Sequence, residues 1–565
     1  MTGPVPARHC SVSADVASVR AVSRSEGAGM PAVVSRFVVG DWGKSWVWWV
    51  RCVIAALAGG VLYLAFPSYD LWWAAPLGVA LFVVATGGVG LRGGAVLGFV
   101  CGVCFFAPLL QWTAVFLGWS LPIFALLTLE SLYMALAGVA LAAVQRPVPG
   151  WRLPVAVSAA VVWTGTEWLR SVTPFGGFAW GRLAFSQADS PMLSAVPYVG
   201  ATGLTFLVAL VGALLACGAR GLLRAWRSPQ GRKSLWSACA AAVVALLVVG
   251  GAAVLPRQLG DDAGSVQVLG VQGNVPRAGL DFNAERRAVT DNHADATKEA
   301  ARKITLGKMP RPDLVVWPEN SSDIDPIRNS DAGAVIKSAV QAVGAPLFVG
   351  AVLAEPAPQV TNAMLLFLPG RGIVDRYDKR HPVPFAEYIP FRSVLRHVTP
   401  LVDQLLPWDF VKGARDVVFS LRDGQVRVAT PICFEVAIDT AVSSGVLAGA
   451  NLLAVPTNNA TFGFTDESVQ QLAISRIRAV EFGRSVVHVS TVGVSALITP
   501  DGAAHQRTDL YTQAVVAGRL PLRENLTPAA YLSVWPGVVT SVITMLFLFV
   551  QAVRARRGGP ARLAG

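Results

Sequence analysis

The stretch Val426-Arg-Val-Ala-Thr-Pro-Ile-Cys433-Phe-Glu435 decides how the rest of the chain is read. Its branched apolar residues make a buried β-strand that runs directly into a cysteine and an acid. A helical pattern follows, from about Val436 to Leu447. A strand-to-helix turn lifts a side chain out of a sheet and sets it near the positive end of a helix, where a thiolate is favoured. Cys433 is the only cysteine between residues 257 and 527, so it has no local disulfide partner. It reads as a nucleophile.

Outside this stretch the composition is that of a membrane protein. Of 565 residues, 53% are hydrophobic and only 15% charged, and the mean hydropathy is +0.51. Such values imply a polytopic membrane protein carrying one soluble domain. The net charge of +12 does not point to nucleic acid, because many basic residues sit in short loops between apolar segments. Cys101 and Cys104 form a CxxC inside an apolar span, where small packing residues are the expected reading. No secretory signal peptide is evident. Residues 1–44 read as a disordered polar tail.

Eight stretches are long enough to cross a bilayer core, which takes roughly 20 helical residues. They fall near 45–66, 71–88, 93–117, 120–144, 153–170, 194–217, 235–255 and 530–553. Seven thus lie in a membrane domain over 45–256, and the eighth precedes a basic tail within 528–565. Arg36, Lys44, Arg51, Arg92, Arg146, Arg152, Arg220, Arg224, Arg227, Arg232, Lys233, Arg554, Arg556, Arg557 and Arg562 all fall on one side of these spans. By the positive-inside rule that side is cytoplasmic, both termini included, and the soluble segment is extracytoplasmic. The outward loop Thr173–Arg182 mixes glycine, proline and aromatics. It reads either as an interfacial anchor or as the lining of a lipid-accessible cleft. Glu130 and Glu167 lie within apolar spans, where a carboxylate is expensive. Glu167 has Arg170 three residues on, so an ion pair competes with a chemical role.

Residues 257–527 alternate short β-runs with helical patterns, which implies a layered α/β domain. Val266–Gln272, Asp313–Pro318, Pro346–Leu353, Ala363–Leu368, Val426–Cys433, Leu452–Pro456 and Ser485–Ser490 read as strands. Glu285–Ile304, Ala332–Val343 and Asp466–Phe482 read as helices, the last with Asp466 as N-cap. Asp313-Leu-Val-Val-Trp-Pro-Glu319 places Glu319 just beyond a strand, and Asp375–Glu387 places Lys379 and Glu387 in a proline-rich loop. A thiol needs a base, which a carboxylate in a dry pocket can supply. An ammonium can stabilise an oxyanion, together with the backbone N–H of Phe434.

Order and context of these residues resemble the nitrilase (carbon-nitrogen hydrolase) superfamily, and the eight spans narrow the resemblance to its membrane-embedded branch, the apolipoprotein N-acyltransferase family. It is carried by Val271-Gln-Gly-Asn274, Trp317-Pro-Glu319, Tyr377-Asp-Lys379-Arg-His381, Val383-Pro-Phe-Ala-Glu387-Tyr-Ile-Pro-Phe391, Cys433-Phe-Glu435 and Arg476-Ile-Arg-Ala-Val-Glu-Phe-Gly-Arg484. The resemblance implies an αββα sandwich with Glu319 as general base, Lys379 as oxyanion stabiliser and Cys433 as nucleophile. Glu387, Glu435 and Phe434 would support them, and Trp180, Tyr388, Asn459 and Phe462 would bind substrate. Phe434 stands where the family usually has tyrosine, Thr461 where it commonly has tryptophan, and Asn320 where a small residue often follows the glutamate. The implied reaction moves an acyl chain from a membrane phospholipid, through a Cys433 thioester, to the α-amine of a diacylglyceryl-cysteine at a lipoprotein N-terminus. It needs no cofactor and no metal, and nothing calls for more than a monomer in the bacterial inner membrane. Three alternatives stay open on the residues alone: a membrane-anchored nitrilase-type amidohydrolase, a transporter or sensor with an inactive outer domain, and a Cys–His pair using His488.

Overall fold

Alternation along β-strands, more than any other feature, sets the position of the core. The computed structural model describes residues 42–146, 153–227, 231–275, 286–397 and 399–557. Of the tail expected over 1–44, residues 1–41 lie outside the described residues and 42–44 are helical; Arg36, Arg152 and Arg562 also lie outside them. Trp42–Val50 forms the opening turns of the first helix, with Trp46 and Trp49 exposed.

Among the described residues, seven helices longer than the four-residue turn Ala114–Leu117 precede the sheets: α1 Trp42–Tyr63, α2 Ala74–Thr86, α3 Leu91–Leu109, α4 Leu121–Val144, α5 Val155–Val172, α6 Val196–Arg227 and α7 Gly231–Ala253. A C-terminal helix, Trp535–Arg557, follows them. Each expected span therefore contains a helix. Among the described residues, six are long and apolar enough to cross a membrane. The exceptions have physical causes. The 13 residues of α2 rise only about 20 Å, and α5 carries Glu167 and Arg170.

Apolar helices gain little from burial against one another in lipid, so they associate through small residues. A Cβ on Gly98 would lie 2.2 Å from the Met134 carbonyl oxygen, and one on Gly138 closer still to that of Gly94. Ser541 of the C-terminal helix donates to the Gly165 carbonyl of α5 at 2.7 Å. The expected Glu167–Arg170 pair is corrected. Arg170 instead donates to Glu130 of α4 at 2.6 Å. Glu167 accepts from Thr205 Oγ1 at 2.6 Å and from the Leu183 N–H at 2.9 Å. Tertiary partners on facing elements outcompete the neighbour on the same helix.

The second half is an αββα sandwich. One sheet runs β12-β1-β2-β3-β4-β5 and the other β11-β10-β9-β8-β7-β6. Its strands are β1 Ser265–Gln272, β2 Leu314–Val316, β3 Leu347–Leu353, β4 Thr361–Leu368, β5 Gly372–Asp378, β6 Val418–Leu421, β7 Val426–Ala429, β8 Leu452–Thr457, β9 Ser485–Ser490, β10 Ala496–Ile498, β11 Ala504–His505 and β12 Ala514–Pro521. In each sheet three central strands are parallel, β1-β2-β3 and β7-β8-β9. Leu314, Val316, Phe348, Met364 and Leu366 face Phe419, Val428 and Val487 of the other sheet. Their alternates, Val315, Leu347, Val349, Ala363 and Leu365, face the outer helices α8 Arg286–Thr305 and α9 Ser330–Val343. The period of two explains both cores. Helices α10 Asp439–Leu447 and α11 Glu467–Phe482 cover the second sheet. Asp466 precedes α11 but makes no capping bond; its carboxylate accepts from Ser68 instead.

Buried ions join α11 to the apolar helices. Arg478, fully buried, donates to Asp439 at 2.7 Å and pairs with Glu481. Arg182, from the loop between α5 and α6, reaches the same Asp439 oxygen at 2.7 Å. Gly200, at φ 70°, breaks α6, and the Ala201 N–H behind the break donates to Glu481 at 2.8 Å. Removing one member of such a cluster strands the others without a counter-charge. Arg478→Met should cost about 3–5 kcal/mol, read as a lowered melting temperature in detergent; a change within error would show that the cluster contributes little.

Candidate active site

Three strand ends deliver the three expected residues to one place. Glu319 follows β2, and the turn behind it places Asn320 at φ 54°, a left-handed conformation that costs a non-glycine residue of order 1 kcal/mol or more. The turn fits because β3 has Gly350 beside it: a Cβ there would lie 2.7 Å from Glu319 Cα. One Glu319 oxygen accepts from Lys379 Nζ at 2.9 Å and Asn362 Nδ2 at 2.7 Å. The other accepts from the Asn458 N–H at 3.1 Å.

Lys379 lies at the end of β5, a strand that the proline-rich reading of this region concealed. Its backbone is held on both sides, by the Asn362 carbonyl at 2.9 Å and the Gly413 N–H at 2.8 Å. Its ammonium, 2% exposed, also donates to Glu387 at 2.9 Å. Glu387 is itself fixed by the Val383 N–H at 2.7 Å. Burial pulls the lysine pKa down, but the charges of Glu319 and Glu387 outweigh it and hold the ammonium well above its ordinary value.

Two expectations about Cys433 are corrected. The strand stops at Ala429, and Cys433 opens a five-residue 3-10 turn through Ala437, with α10 starting only at Asp439. Thr430-Pro-Ile turns the chain away from the ladder because proline has no N–H to donate. The sulfur is also no stabilised thiolate. Burial, then the Glu319 charge, push the thiol well above its usual pKa, and Lys379 opposes them only in part. Cys433 has φ 54°. Its turn is secured by the fully buried Glu435, which accepts from Tyr377 Oη, from the Arg380 and His381 N–H groups and from the Ile432 N–H, all within 3.0 Å. Burial works against that carboxylate's charge; the His381 hydrogen bond and the Lys379 charge prevail and lower its pKa.

Phe434 stacks on Phe178 (5.5 Å between centroids) and on Trp180 (6.0 Å, 10° between planes). Trp180 is 2% exposed and donates to Gln470 at 2.7 Å, a placement unlike an interfacial anchor. Phe462 reaches this aromatic group through Trp112, at 4.8 Å. Tyr388 is half-buried, and its carbonyl accepts from the Phe385 N–H at 2.7 Å. Asn459 is buried, its amide engaged by Thr457, Glu467, Gln471 and Ser490. His488 is fully buried against Ser475 at 2.9 Å, and burial drops its pKa to about 3. Its ring is thus part of a core contact with serine. Among the described residues no group of three or more His, Cys, Asp or Glu is placed to hold a metal.

Asn362, Gln471 and Glu467 escaped the sequence reading. Asn362 bridges Glu319 and Glu387, at 2.7 and 3.0 Å. Gln471 Nε2 lies 3.6 Å from Cys433 Sγ. Asn362 lies on β4, and Glu467 and Gln471 lie on α11, whose buried face mixes polar and apolar residues throughout, so no local pattern marks them.

Known proteins match both halves. The family model described as Apolipoprotein N-acyltransferase N-terminal domain matches residues 58–214, and Carbon-nitrogen hydrolase matches 271–524. An apolipoprotein N-acyltransferase of Mycolicibacterium smegmatis is 38% identical, over 90% of this chain and 86% of its own. The chain belongs to the apolipoprotein N-acyltransferase family. Family members from Azotobacter vinelandii (29% identical, 91% and 97% covered) and Photobacterium profundum (26%, 90% and 96%) match over a similar extent. Among solved structures, an amidase from Nesterenkonia sp. matches at 18% identity over 47% of this chain and 92% of that one, with a TM-score of 0.34.

One buried carboxylic acid gives this site a pH signature. Burial pushes Glu467 up to about 8, against the Asn459 hydrogen bond and with help from the Glu319 charge. The folded state therefore holds a proton that the unfolded chain releases near pH 4.5, and stability falls as pH rises from there through about 8. Glu467→Gln should flatten that slope; melting curves that keep the wild-type slope would assign it elsewhere.

Proposed function

We propose that the chain is an apolipoprotein N-acyltransferase. In this reading it moves an acyl chain from a membrane phospholipid to the α-amine of a lipoprotein's diacylglyceryl-cysteine. The observation that carries the lipid substrate is the stacking of Phe434, the residue beside the nucleophile, on Phe178 and Trp180 of the loop between α5 and α6. A hydrolase of small soluble amides has no need to hold its nucleophile against membrane helices.

Glu319, Lys379 and Cys433 act as base, oxyanion stabiliser and nucleophile. Glu319 takes the Cys433 proton, and the sulfur attacks the phospholipid ester carbonyl. The oxyanion is met by the Lys379 ammonium and by the Phe434 N–H at the start of the 3-10 turn. Collapse expels the lysophospholipid alkoxide, which takes the proton back from Glu319 and leaves a thioester. The α-amine then attacks that carbonyl, Glu319 accepts its proton, and the thiolate departs as the amide forms. The proton returns to sulfur, closing a ping-pong cycle. Glu387 and Glu435 hold Lys379 and the Cys433 turn, Asn459 positions the helix behind them, and Trp180, Tyr388 and Phe462 line the acyl path.

The same reading places eight spans in the bacterial inner membrane, with residues 45–256 and 528–565 as the membrane parts and 257–527 as an extracytoplasmic catalytic domain. Both termini are cytoplasmic, following the positive-inside asymmetry. The enzyme works as a monomer without cofactor. Both substrates are confined to the bilayer, so the sulfur must face the outer leaflet.

Purified protein given labelled phospholipid should form an alkali-labile acyl adduct and pass the label to a diacylglyceryl peptide. Cys433→Ser should abolish transfer, and Glu319→Gln or Lys379→Met should slow it at least about a hundredfold. Free fatty acid without acylated peptide would instead show water as the acceptor and favour a membrane-anchored hydrolase, with ammonia release from small amides marking it as an amidohydrolase.

A further inference from the structure

Two neighbouring glutamines on α11 point to different halves of the molecule. Gln470 accepts from Trp180. Gln471 is fully buried and lies between Asn459 and the nucleophile. We propose that Gln471 is a further catalytic residue, whose Nε2 donates to the Cys433 sulfur and carries part of its negative charge whenever a thiolate forms. This rests on the reading of Cys433 as the nucleophile.

Geometry fixes which end of the amide meets the sulfur. The Gly493 backbone N–H, which can only donate, gives its proton to Ser490 Oγ at 2.8 Å. That hydroxyl then directs its own proton to Asn459 Oδ1, which Thr457 Oγ1 also reaches at 3.0 Å. Asn459 is thereby oriented with Nδ2 toward Glu467 and toward Gln471 Oε1, the latter at 3.0 Å. With its oxygen occupied, Gln471 presents its N–H to Cys433 Sγ at 3.6 Å. Reversing the amide would face N–H against N–H on one side and oxygen against sulfur on the other. Gly493 leaves room for this relay, since a Cβ there would lie 2.7 Å or closer to Asn459 Oδ1, Ser468 Oγ and Ser490 Oγ.

The reaction needs such a donor twice. Sulfur becomes anionic when Glu319 takes its proton and again when the amine expels it from the tetrahedral intermediate. Lys379 is divided between Glu319 and Glu387, and Glu467 stands behind Asn459. A neutral N–H stabilises the thiolate without demanding another counter-charge. Loss of one donor aimed at developing charge typically costs tenfold to a few hundredfold in rate, roughly.

Gln471→Leu keeps the volume close and removes the donor. In the full-length protein in detergent, alkylation of Cys433 by iodoacetamide would be followed across pH on the isolated Cys433 peptide. The half-point should rise by about one unit, a tenfold loss of thiolate. Adduct formation from labelled phospholipid should slow about tenfold or more, with the phospholipid KM unchanged. A structural role alone would lower the melting temperature and the active fraction but leave the alkylation profile in place. Ser490→Ala, which frees Asn459 without adding volume, should shift the profile in the same direction by less, and it decides the matter if Gln471→Leu fails to fold. An unmoved profile in the variant that folds overturns the proposal. If Cys433→Ser still transfers label, the nucleophile assignment falls; if that variant is inactive while Gln471→Leu matches the wild type, only the role of Gln471 falls.

Discussion

A single buried carboxylate, Glu435, ties the turn that carries Cys433 to the strand end that carries Lys379. Cys433 and Lys379 belong to different sheets and are 54 positions apart in the chain. Glu435 sits two residues after the cysteine and accepts from Tyr377, Arg380 and His381, which flank the lysine. It also accepts from Ile432, just ahead of the cysteine. Both strand ends are thus pinned to the same two oxygens. A buried carboxylate is tolerated only when its acceptor sites are filled. The satisfied carboxylate and the aligned site are therefore one condition, and neither persists without the other.

Around that staple the charges are deliberately uneven. One ammonium faces two carboxylates at 2.9 Å each, so the neighbourhood disfavours a resting thiolate. This is a different solution from lowering the thiol pKa at a helix end. Burial outweighs both the Lys379 charge and the hydrogen bond from the Asn458 backbone. A neutral thiol also resists adventitious oxidation, which acts on thiolates.

Contact with the apolar helices runs through the elements around Cys433. Arg478 donates to the Val436 and Ala437 carbonyls of the nucleophile turn while sharing Asp439 with Arg182. Phe434 continues the stack of Phe178 and Trp180. Its ring is 7% exposed and stacks on both aromatic side chains, so apolar contact is what its position demands.

The primary sequence determined more of this protein than its length would promise. Strand and helix periodicities located β1 to β4, β8, β9 and the outer helices within two or three residues, because these strands are buried on both faces and the helices on one; β5, β6, β10, β11 and β12 are short or partly exposed and gave no such signal. Charged loops and apolar stretches marked the apolar-helix half, and Glu319 and Cys433 stood out after apolar strands, whereas Lys379 read as part of a proline-rich loop and was singled out by the family resemblance. Tertiary structure decided the rest. The end of β7 depended on a proline that leaves the ladder, and β5 was hidden by Asp375, Arg376 and Asp378, of which Arg376 pairs with Glu355 and with Asp378. Arg170 chose Glu130 over its helical neighbour because facing helices bring that carboxylate to 2.6 Å. Asn362 and Gln471 carry no local mark at all. An amide becomes part of a site only through what the fold places around it, and those partners come from strands and helices that no local pattern connects.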